Sequence, residues 1–386
     1  MFFFKNNLKE CDLCKSKKYN VLLEHNGKVM TSDQQIKLSK IIKIECKKCG
    51  LVRNKNIERE INYKKKYTYN TSKKKDVQFF NNKGSLDRSS QIFDWISSLI
   101  SKKQFLKIHT IIEVGCGEGN LLLKFQKEFP KKKIIGFEIN EKAIQEGKRK
   151  GLDVRNLEEM INEKADLVIS YAVIEHTTSP KEFLKSVSKI LNPNGLVLLG
   201  TPHQDKISHD IFFVDHIFHF SSKHVQDLAR FANLKILKKS TKQWPIDSFG
   251  IYLFQLSKTK MREIIRNRKN KCRDSIKFYL NLFYSVNQEL KQIKKNEKFA
   301  VLGLGEFFNL LYTYTKLNDK KINYGLDDFS KNKKFTFTII PINKVKSQKI
   351  DSIFVCVNPN YYNIILNKLN NKKIKIFLPF QKMKKH

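Results

Sequence analysis

The 386-residue sequence predicts an α/β protein built on a parallel sheet, with a small cysteine-bearing module ahead of it and a second α/β domain behind it. Three observations carry this. Apolar strand-like runs alternate with helical patterns across residues 90–257, two CxxC pairs stand within the first 60 residues, and a second alternation fills residues 297–386. Strands alternating with helices are the pattern of βαβ units, whose crossovers require parallel pairing. The length suits two or three domains, each large enough to bury a core.

Residues 1–60 hold Cys11-Asp12-Leu13-Cys14 and Cys46-Lys47-Lys48-Cys49-Gly50 among short strand-like runs at Val21–Leu23 and Ile41–Ile44. The opening Met1-Phe2-Phe3-Phe4 meets Lys5 at once, far short of a secretory h-region, and no apolar run reaches the roughly 20 residues that span a bilayer. A cytoplasmic protein is expected, and there paired cysteines favour metal over disulfides. Each CxxC offers two thiolates to one side of a tetrahedron. Cys11, Cys14, Cys46 and Cys49 thus compose a four-thiolate site for a structural zinc, with Gly50 permitting the second tight turn. Cys116, Cys272 and Cys356 sit in ordinary apolar patterns and are expected to be inert.

Residues 61–89 are polar and lysine-rich, a linker or a lid over a cofactor. Next come strands at Ile111–Val114, Ile134–Phe137, Leu167–Ser170 and Leu196–Gly200, with Pro193-Asn194-Gly195 as the turn before the last and Tyr252–Leu256 closing the sheet. Residues 258–296 read as a basic helical connector. The final segment carries strands near Phe299–Leu302, Ile322–Gly325, Ser352–Val357 and Ile374–Leu378.

The net charge of +38 would attract a polyanion. Its lysine runs are scattered, however, at Lys64–Lys66, Lys73–Lys75 and Lys131–Lys133, and lysine dominates over arginine. Nucleic-acid binders concentrate charge on one face and favour arginine forks. The charge reads as lysine-rich composition on solvated faces, and a small-molecule partner is expected instead of nucleic acid.

The chemistry centres on Ile111-Ile112-Glu113-Val114-Gly115-Cys116-Gly117-Glu118-Gly119-Asn120, a buried strand running through a glycine turn into a helix. Alternate glycines let the backbone turn sharply and pass close to a ligand, while the helix start offers unpaired N–H groups. The spacing is GxGxG, and an acid precedes the first glycine by two residues, which suits an ammonium-bearing cofactor better than a diphosphate. Glu138 ends the next strand about 20 residues on, where a carboxylate can accept ribose hydroxyls.

Residues 90–257 here resemble the class I S-adenosylmethionine-dependent methyltransferases, which carry E/DxGxGxG after their first strand and an acid after the second. The stretch Asp166–His176 is similar to that family's fourth strand and following loop, and Asn194–Pro202 to its fifth. The resemblance implies that Gly115, Gly117 and Gly119 line the methionine and ribose, and that Glu138, with Ile139 beside it, binds the ribose. It also implies that Asn156 and Leu157 border the adenine, that the stretch from Ser170 faces the sulfonium, and that Glu113 acts through water or the amino group. His176 is expected to fix a loop.

With the zinc pattern and Cys49-Gly50-Leu51-Val52, nearly the whole chain is similar to bacterial three-domain sugar C-methyltransferases. These join an N-terminal zinc-binding part, a cofactor domain, and a C-terminal α/β domain that helps enclose a nucleotide-sugar. Phe213-Val214-Asp215-His216 looks like their Tyr-His-Glu-His signature, which puts His216 in the place of the proposed base and Asp215 in that of the glutamate. An imidazole suits proton removal near neutral pH. Phe213 replaces the tyrosine, and Ile246-Asp247-Ser248-Phe249-Gly250 replaces a glycine-rich segment, so methylation is expected, with the choice of carbon, oxygen or nitrogen open. His219, between aromatic neighbours, is expected to pack. In the last segment, Val301-Leu302-Gly303-Leu304-Gly305-Glu306-Phe307-Phe308 begins like a dinucleotide loop, but Phe308 stands where the third glycine belongs; Asp327 and Asp328 lie near a ribose-binding position. Substrate shaping is expected there. The expected function is methylation of a nucleotide-linked ketosugar; the alternatives are an rRNA or other small-molecule O- or N-methyltransferase, or a silent binding protein.

Overall fold

Period-two alternation in the central segment sends successive side chains to opposite faces of one sheet, and two separate apolar cores result. A computed structural model of the chain describes residues 9–56, 78–81, 84–241, 248–328, 335–369 and 374–381. Most of the expected lid at 61–89, the lysine runs at 64–66 and 73–75, the opening Met1–Lys5, Ile246 and Asp247 lie outside the described residues.

The chain divides into two compact units. The first comprises residues 1–23, 42–211 and 215–272. Two long strands, β1 (Tyr19–Met30) and β2 (Ile36–Cys46), run into it, followed by β3 (Val52–Asn54). A two-stranded antiparallel pair, β4 (Gln78–Asn81) and β5 (Gly84–Asp87), precedes helix α1 (Arg88–Leu99), which Asp87 caps by accepting the Ser90 N–H at 2.7 Å. After α2 (Lys102–Leu106) come β6 (Thr110–Val114), α3 (Asn120–Glu128), β7 (Lys133–Glu138), α4 (Glu141–Arg149), β8 (Val154–Asn156), β9 (Ala165–Tyr171), α5 (Pro180–Lys189) and β10 (Leu191–Pro202). The short β11 (Phe218–His219), α6 (Ser222–Phe231), β12 (Leu234–Ser240) and β13 (Phe249–Leu256) complete it.

The seven-stranded sheet has the order β12-β13-β10-β9-β6-β7-β8, parallel from β10 to β8, with β13 antiparallel to β10 and β12 antiparallel to β13. Ile111, Leu167, Ile169 and Leu198 pack against Trp95 and Ile96 of α1 and Leu121 and Phe125 of α3. Ile112, Val114, Val168 and Val197 face the other way, onto Phe183 and Leu184 of α5 and Val225 and Leu228 of α6. Burying each such side chain stabilises the fold by about 1.5–3 kcal/mol. Cys11, Cys14, Cys46 and Cys49 belong to this second core. The turn expected at Pro193-Asn194-Gly195 proves to be a bulge inside β10: the register with β9 shifts between Leu191 and Leu196, and Asn194 takes φ 65°.

The second unit comprises residues 24–41, 212–214 and 273–386. Of the expected connector, only α7 (Cys272–Lys291) is helical, because residues 258–271 lack the apolar periodicity of the later stretch. Strands β14 (Phe299–Leu302), β15 (Tyr324–Leu326), β16 (Thr338–Ile340), β17 (Ser352–Val355) and β18 (Lys375–Phe377) pair in the order β16-β15-β14-β17-β18, all parallel. Helices α8 (Glu306–Tyr314) and α9 (Tyr362–Leu369) belong to the same unit. Among the described residues no helix is long and apolar enough to cross a membrane.

Candidate active site

Ligands of open parallel sheets bind beyond the carboxyl ends of the strands. The neighbours β9, β6, β7 and β8 carry Ser170, Glu113, Glu138 and Asn156 at those ends. Glu113 stands opposite Gly136 and Ile169, and Glu138 opposite Asn156. Gly115, Gly117 and Gly119 take φ of 76°, 56° and 76°, the left-handed region that side chains other than glycine enter at a cost. Space also requires glycine: a Cβ on Gly115 would lie 2.3 Å from Val173 Cγ2, and one on Gly119 would lie 2.5 Å from Leu152 Cδ1. Val173 follows Ala172, itself at φ 58°, so the loop after β9 closes directly on the glycine turn.

Glu138 binds that turn. Its Oε2 accepts the Gly117 N–H at 2.8 Å, and its Oε1 accepts Ile139 and Asn140 at 2.8 and 3.0 Å. Burial raises its pKa against the pull of these three donors. A carboxylate has about four acceptor positions, so roughly one remains, on Oε2. Holding both ribose hydroxyls would require one backbone N–H to let go. Glu113 is buried, and its Oε2 has no hydrogen-bond partner among the described residues. Burial and then the charge of Glu138 push its pKa well up, with Arg88 opposing. Asn156 accepts the Glu158 N–H at 3.0 Å and caps the turn that holds buried Leu157. Ser170 Oγ is buried and also lacks a partner among the described residues.

A second polar cluster follows β10. His216, 3% exposed, has Nδ1 3.4 Å from Asp210 Oδ2, and His219 Nδ1 lies 3.0 Å from the same oxygen. Gln204 Nε2 donates to Asp210 Oδ1 at 2.6 Å. Lys43 Nζ reaches His219 Nε2 at 2.7 Å and the His216 carbonyl at 3.2 Å. Burial pulls the His216 imidazole down, but the Asp210 hydrogen bond and the charges of Asp215, Asp210 and Glu175 outweigh it, leaving the pKa raised. Burial, then the charge of Lys43, depress His219 to about 3. The carboxylate bonded to His216 is therefore Asp210. Asp215, one residue away in sequence, offers its backbone oxygen to His176 Nδ1 at 2.9 Å. His176 packs edge-on against His216 with ring centroids 4.8 Å apart. Its neighbour Glu175 accepts from Thr201 Oγ1 at 2.9 Å.

Residues 76–239 match the family model described as a methyltransferase domain. The central part of the chain is similar to a methyltransferase domain. It is 26% identical over 132 residues to a malonyl-[acyl-carrier protein] O-methyltransferase of Anoxybacillus flavithermus, covering 32% of this chain and 51% of the relative. It is 27% identical over 148 residues to a ubiquinone biosynthesis O-methyltransferase of Rickettsia conorii, covering 36% and 49%. The chain thus spans about half the length of these curated relatives. Among solved structures, an S-adenosylmethionine-dependent methyltransferase of Clostridium acetobutylicum aligns over 44% of this chain and 90% of its own with 15% identity and a TM-score of 0.35.

The residues of this segment fit S-adenosylmethionine on two counts. Gly115, Gly117 and Gly119 take the left-handed backbone of a sharp strand-to-helix turn, and the orphaned oxygens of Glu113 and Ser170 are partners a polar, ammonium-bearing molecule would satisfy. The four paired cysteines also meet. Sγ of Cys11 lies 3.5 Å from that of Cys49, Sγ of Cys14 lies 3.4 Å from that of Cys46, and all four fall within 4.8 Å of one another. Sulfurs about 2.3 Å from one tetrahedral zinc stand roughly 3.8 Å apart. Gly50, at φ 76°, closes the second turn where a Cβ would lie 2.4 Å from the Arg268 carbonyl.

Sequence reasoning gave no role to Lys43, Gln204, Asp210 or Glu175, the last three of which lie within residues 76–239. Lys43 left one signal: a lysine inside the apolar run Ile41-Ile42-Lys43-Ile44. Asp210 left none. The aromatic flanks of His219 misled, since both its ring nitrogens make polar contacts.

Proposed function

We propose that the chain is an S-adenosylmethionine-dependent methyltransferase of a sugar, carried as a nucleotide-linked ketosugar, with His216 as its general base. The observation that carries this is a buried imidazole hydrogen-bonded to Asp210 just past the carboxyl end of β10, on the ligand-binding edge of the parallel sheet. S-adenosylmethionine, when bound, supplies an electrophilic methyl group. Glu138, Ile139, Asn156 and Leu157 would hold its ribose and adenine, Gly115, Gly117 and Gly119 its backbone approach, and Glu113 and Ser170 its polar atoms. His216 would take the proton beside the acceptor carbonyl, and the neighbouring carboxylates, Asp215 among them, would stabilise the imidazolium. Cys11, Cys14, Cys46 and Cys49 would hold one structural zinc that stiffens the N-terminal strands. The cytoplasm, where such thiols stay reduced, is the proposed compartment.

Methylation of a hydroxyl is the second reading. Phe213 in place of the signature tyrosine favours it, as do the O-methyltransferases among the relatives. Incubating the protein with nucleotide-sugar pools and isotope-labelled cofactor, with mass spectrometry of the products, distinguishes the two. Labelled nucleotide-sugar, with α-hydrogen exchange into deuterated water that disappears in His216→Ala, is expected. Label without exchange supports O-methylation, and label absent from every sugar rejects the acceptor class. Elemental analysis should find about one zinc per chain, lost in Cys11→Ser.

A further inference from the structure

Lys43 enters the interior of the first unit from β2 and is 0% exposed. Burial pulls the Lys43 pKa down to about 7 against the charges of Asp210 and Asp215, yet its nitrogen keeps N–H donors in either form, and an ionised carboxylate only accepts. These two facts set the direction of the whole buried chain. Asp210 Oδ2 can only accept from His219 Nδ1 at 3.0 Å, so the one proton of the neutral His219 ring sits on Nδ1, and Nε2 is left to accept from Lys43 Nζ at 2.7 Å. The same oxygen takes the Nδ1–H of His216 at 3.4 Å, while Gln204 donates to Oδ1 at 2.6 Å. Asp210 thus receives hydrogens from two imidazoles and an amide and gives none back. Its pKa is held well below the carboxylate range: burial raises it, but the hydrogen bonds from His216 and His219 prevail.

We propose that Lys43 and Asp210 are positioning residues which, through His219, hold His216 in the Nδ1–H tautomer, so that Nε2 is the nitrogen it presents to a proton. Lys43 acts at the far end, fixing His219 so that it can only donate to Asp210. The carboxylate, pinned from three sides, then orients His216. The strand that bears Lys43 runs on to Cys46, so the module that carries the paired cysteines supplies one end of the network around His216. The proposal deepens the assignment of His216 as base, and its role in turnover rests on that assignment; the tautomer does not. The other groups facing His216 are Asp215, Glu175 and His176, with the His219 ring 6.3 Å away centroid to centroid.

Two-bond ¹⁵N–¹H correlation spectra of the full chain labelled at histidine read each ring's tautomer directly. The His216 and His219 signals are assigned by their loss in His216→Gln and His219→Gln. In the parent, His219 at neutral pH and His216 above its titration midpoint should both show the Nδ1–H pattern. Asp210→Asn should lower the His216 midpoint and mix its tautomers. Lys43→Met should raise the His219 midpoint and allow it an Nε2–H form, and Lys43→Arg should restore the parent pattern. An Nε2–H His216 or His219 in the parent overturns the proposal without any variant, even if the substitutions do not fold. A folded Asp210→Asn protein, one that still binds S-adenosylmethionine in calorimetry, with an unchanged His216 tautomer and midpoint overturns it too. Normal turnover in His216→Ala alongside the expected spectra would sink the base assignment and leave the positioning in place.

Discussion

Two glycine turns in this chain look alike and are built for different ends. Each follows the first strand of a parallel sheet, and each is tied to an acid at the end of the next strand. Glu138 accepts Gly117 N–H in the first unit, and Asp327 accepts Leu304 N–H at 2.8 Å in the second. The first turn has left-handed backbone at all three glycines, a fully buried acid held by three N–H groups, and orphaned oxygens on Glu113 and Ser170. In the second turn Gly305 has ordinary backbone and open space around its Cβ position. The place of a third glycine holds Phe308, which is 0% exposed with its ring against Tyr312, Phe335 and Phe337. A glycine there lets helix and strand approach closely for a dinucleotide, and a phenylalanine fills that space with core. The contrast teaches that a turn and its acid make a frame, and that unsatisfied polar groups inside the frame are what mark a binding site.

The largest effect should come from chemistry confined to the first unit. His216→Ala should reduce turnover by about 10²–10⁴-fold while S-adenosylmethionine affinity by calorimetry stays at the parent value. A loss of affinity of similar size would instead make His216 part of the cradle. The acid limb of stability comes next. Buried His219 is held at about 3 against an ordinary 6.5, so between those values the unfolded chain binds a proton that the folded chain does not. Stability should therefore fall as pH drops from 6.5 towards 3, by roughly 4–5 kcal/mol from this ring alone. His176, lowered chiefly by burial, works in the same direction. His216 is raised and works oppositely: its contribution is complete below 6.5 and is lost as pH rises through its folded value. Glu113 and Glu138, both raised by burial, also work oppositely, so the His219 share is read as the difference between the parent and His219→Gln in denaturant titrations at pH 7 and pH 4; equal differences at the two pH values would contradict the buried network.

The two acids provide the direct test of the comparison. Glu138→Ala should weaken S-adenosylmethionine binding by about 2–4 kcal/mol, whereas Asp327→Ala should change it by less than about 0.5 kcal/mol. Equal losses would erase the distinction between the frames. The smallest effect concerns backbone. Gly119→Ala must adopt φ 76° and push Leu152 aside, at a cost of about 1–2 kcal/mol in thermal stability. Gly305→Ala meets nothing within 4 Å and should be close to neutral. A neutral Gly119→Ala would mean that the cradle tolerates side chains.

Much of the central domain was legible because its signals are local. The strand ending in Val114, the glycine spacing and the acid at Glu138 lie within about thirty residues, and each follows from backbone geometry that neighbours impose. The four cysteines were legible for a different reason: thiolate pairs at CxxC spacing have few other uses in a reduced compartment. Short or interrupted strands were not legible. β8 and β16 have three residues each, and β10 continues through Pro193-Asn194-Gly195 because a bulge absorbs the turn signal.

Local patterning, then, determined by itself the α/β class, the glycine turn with its acid, and which cysteines could meet. Tertiary structure alone decided which carboxylate serves His216. Asp215 is the nearer in sequence, but its backbone oxygen is turned to His176, and Asp210 reaches the imidazole across the loop. It alone also brought Lys43 to His219, 176 positions apart. No periodicity encodes such a pairing. It exists because a buried lysine nitrogen must find hydrogen-bond partners and a buried carboxylate must find donors once the surrounding core has excluded water.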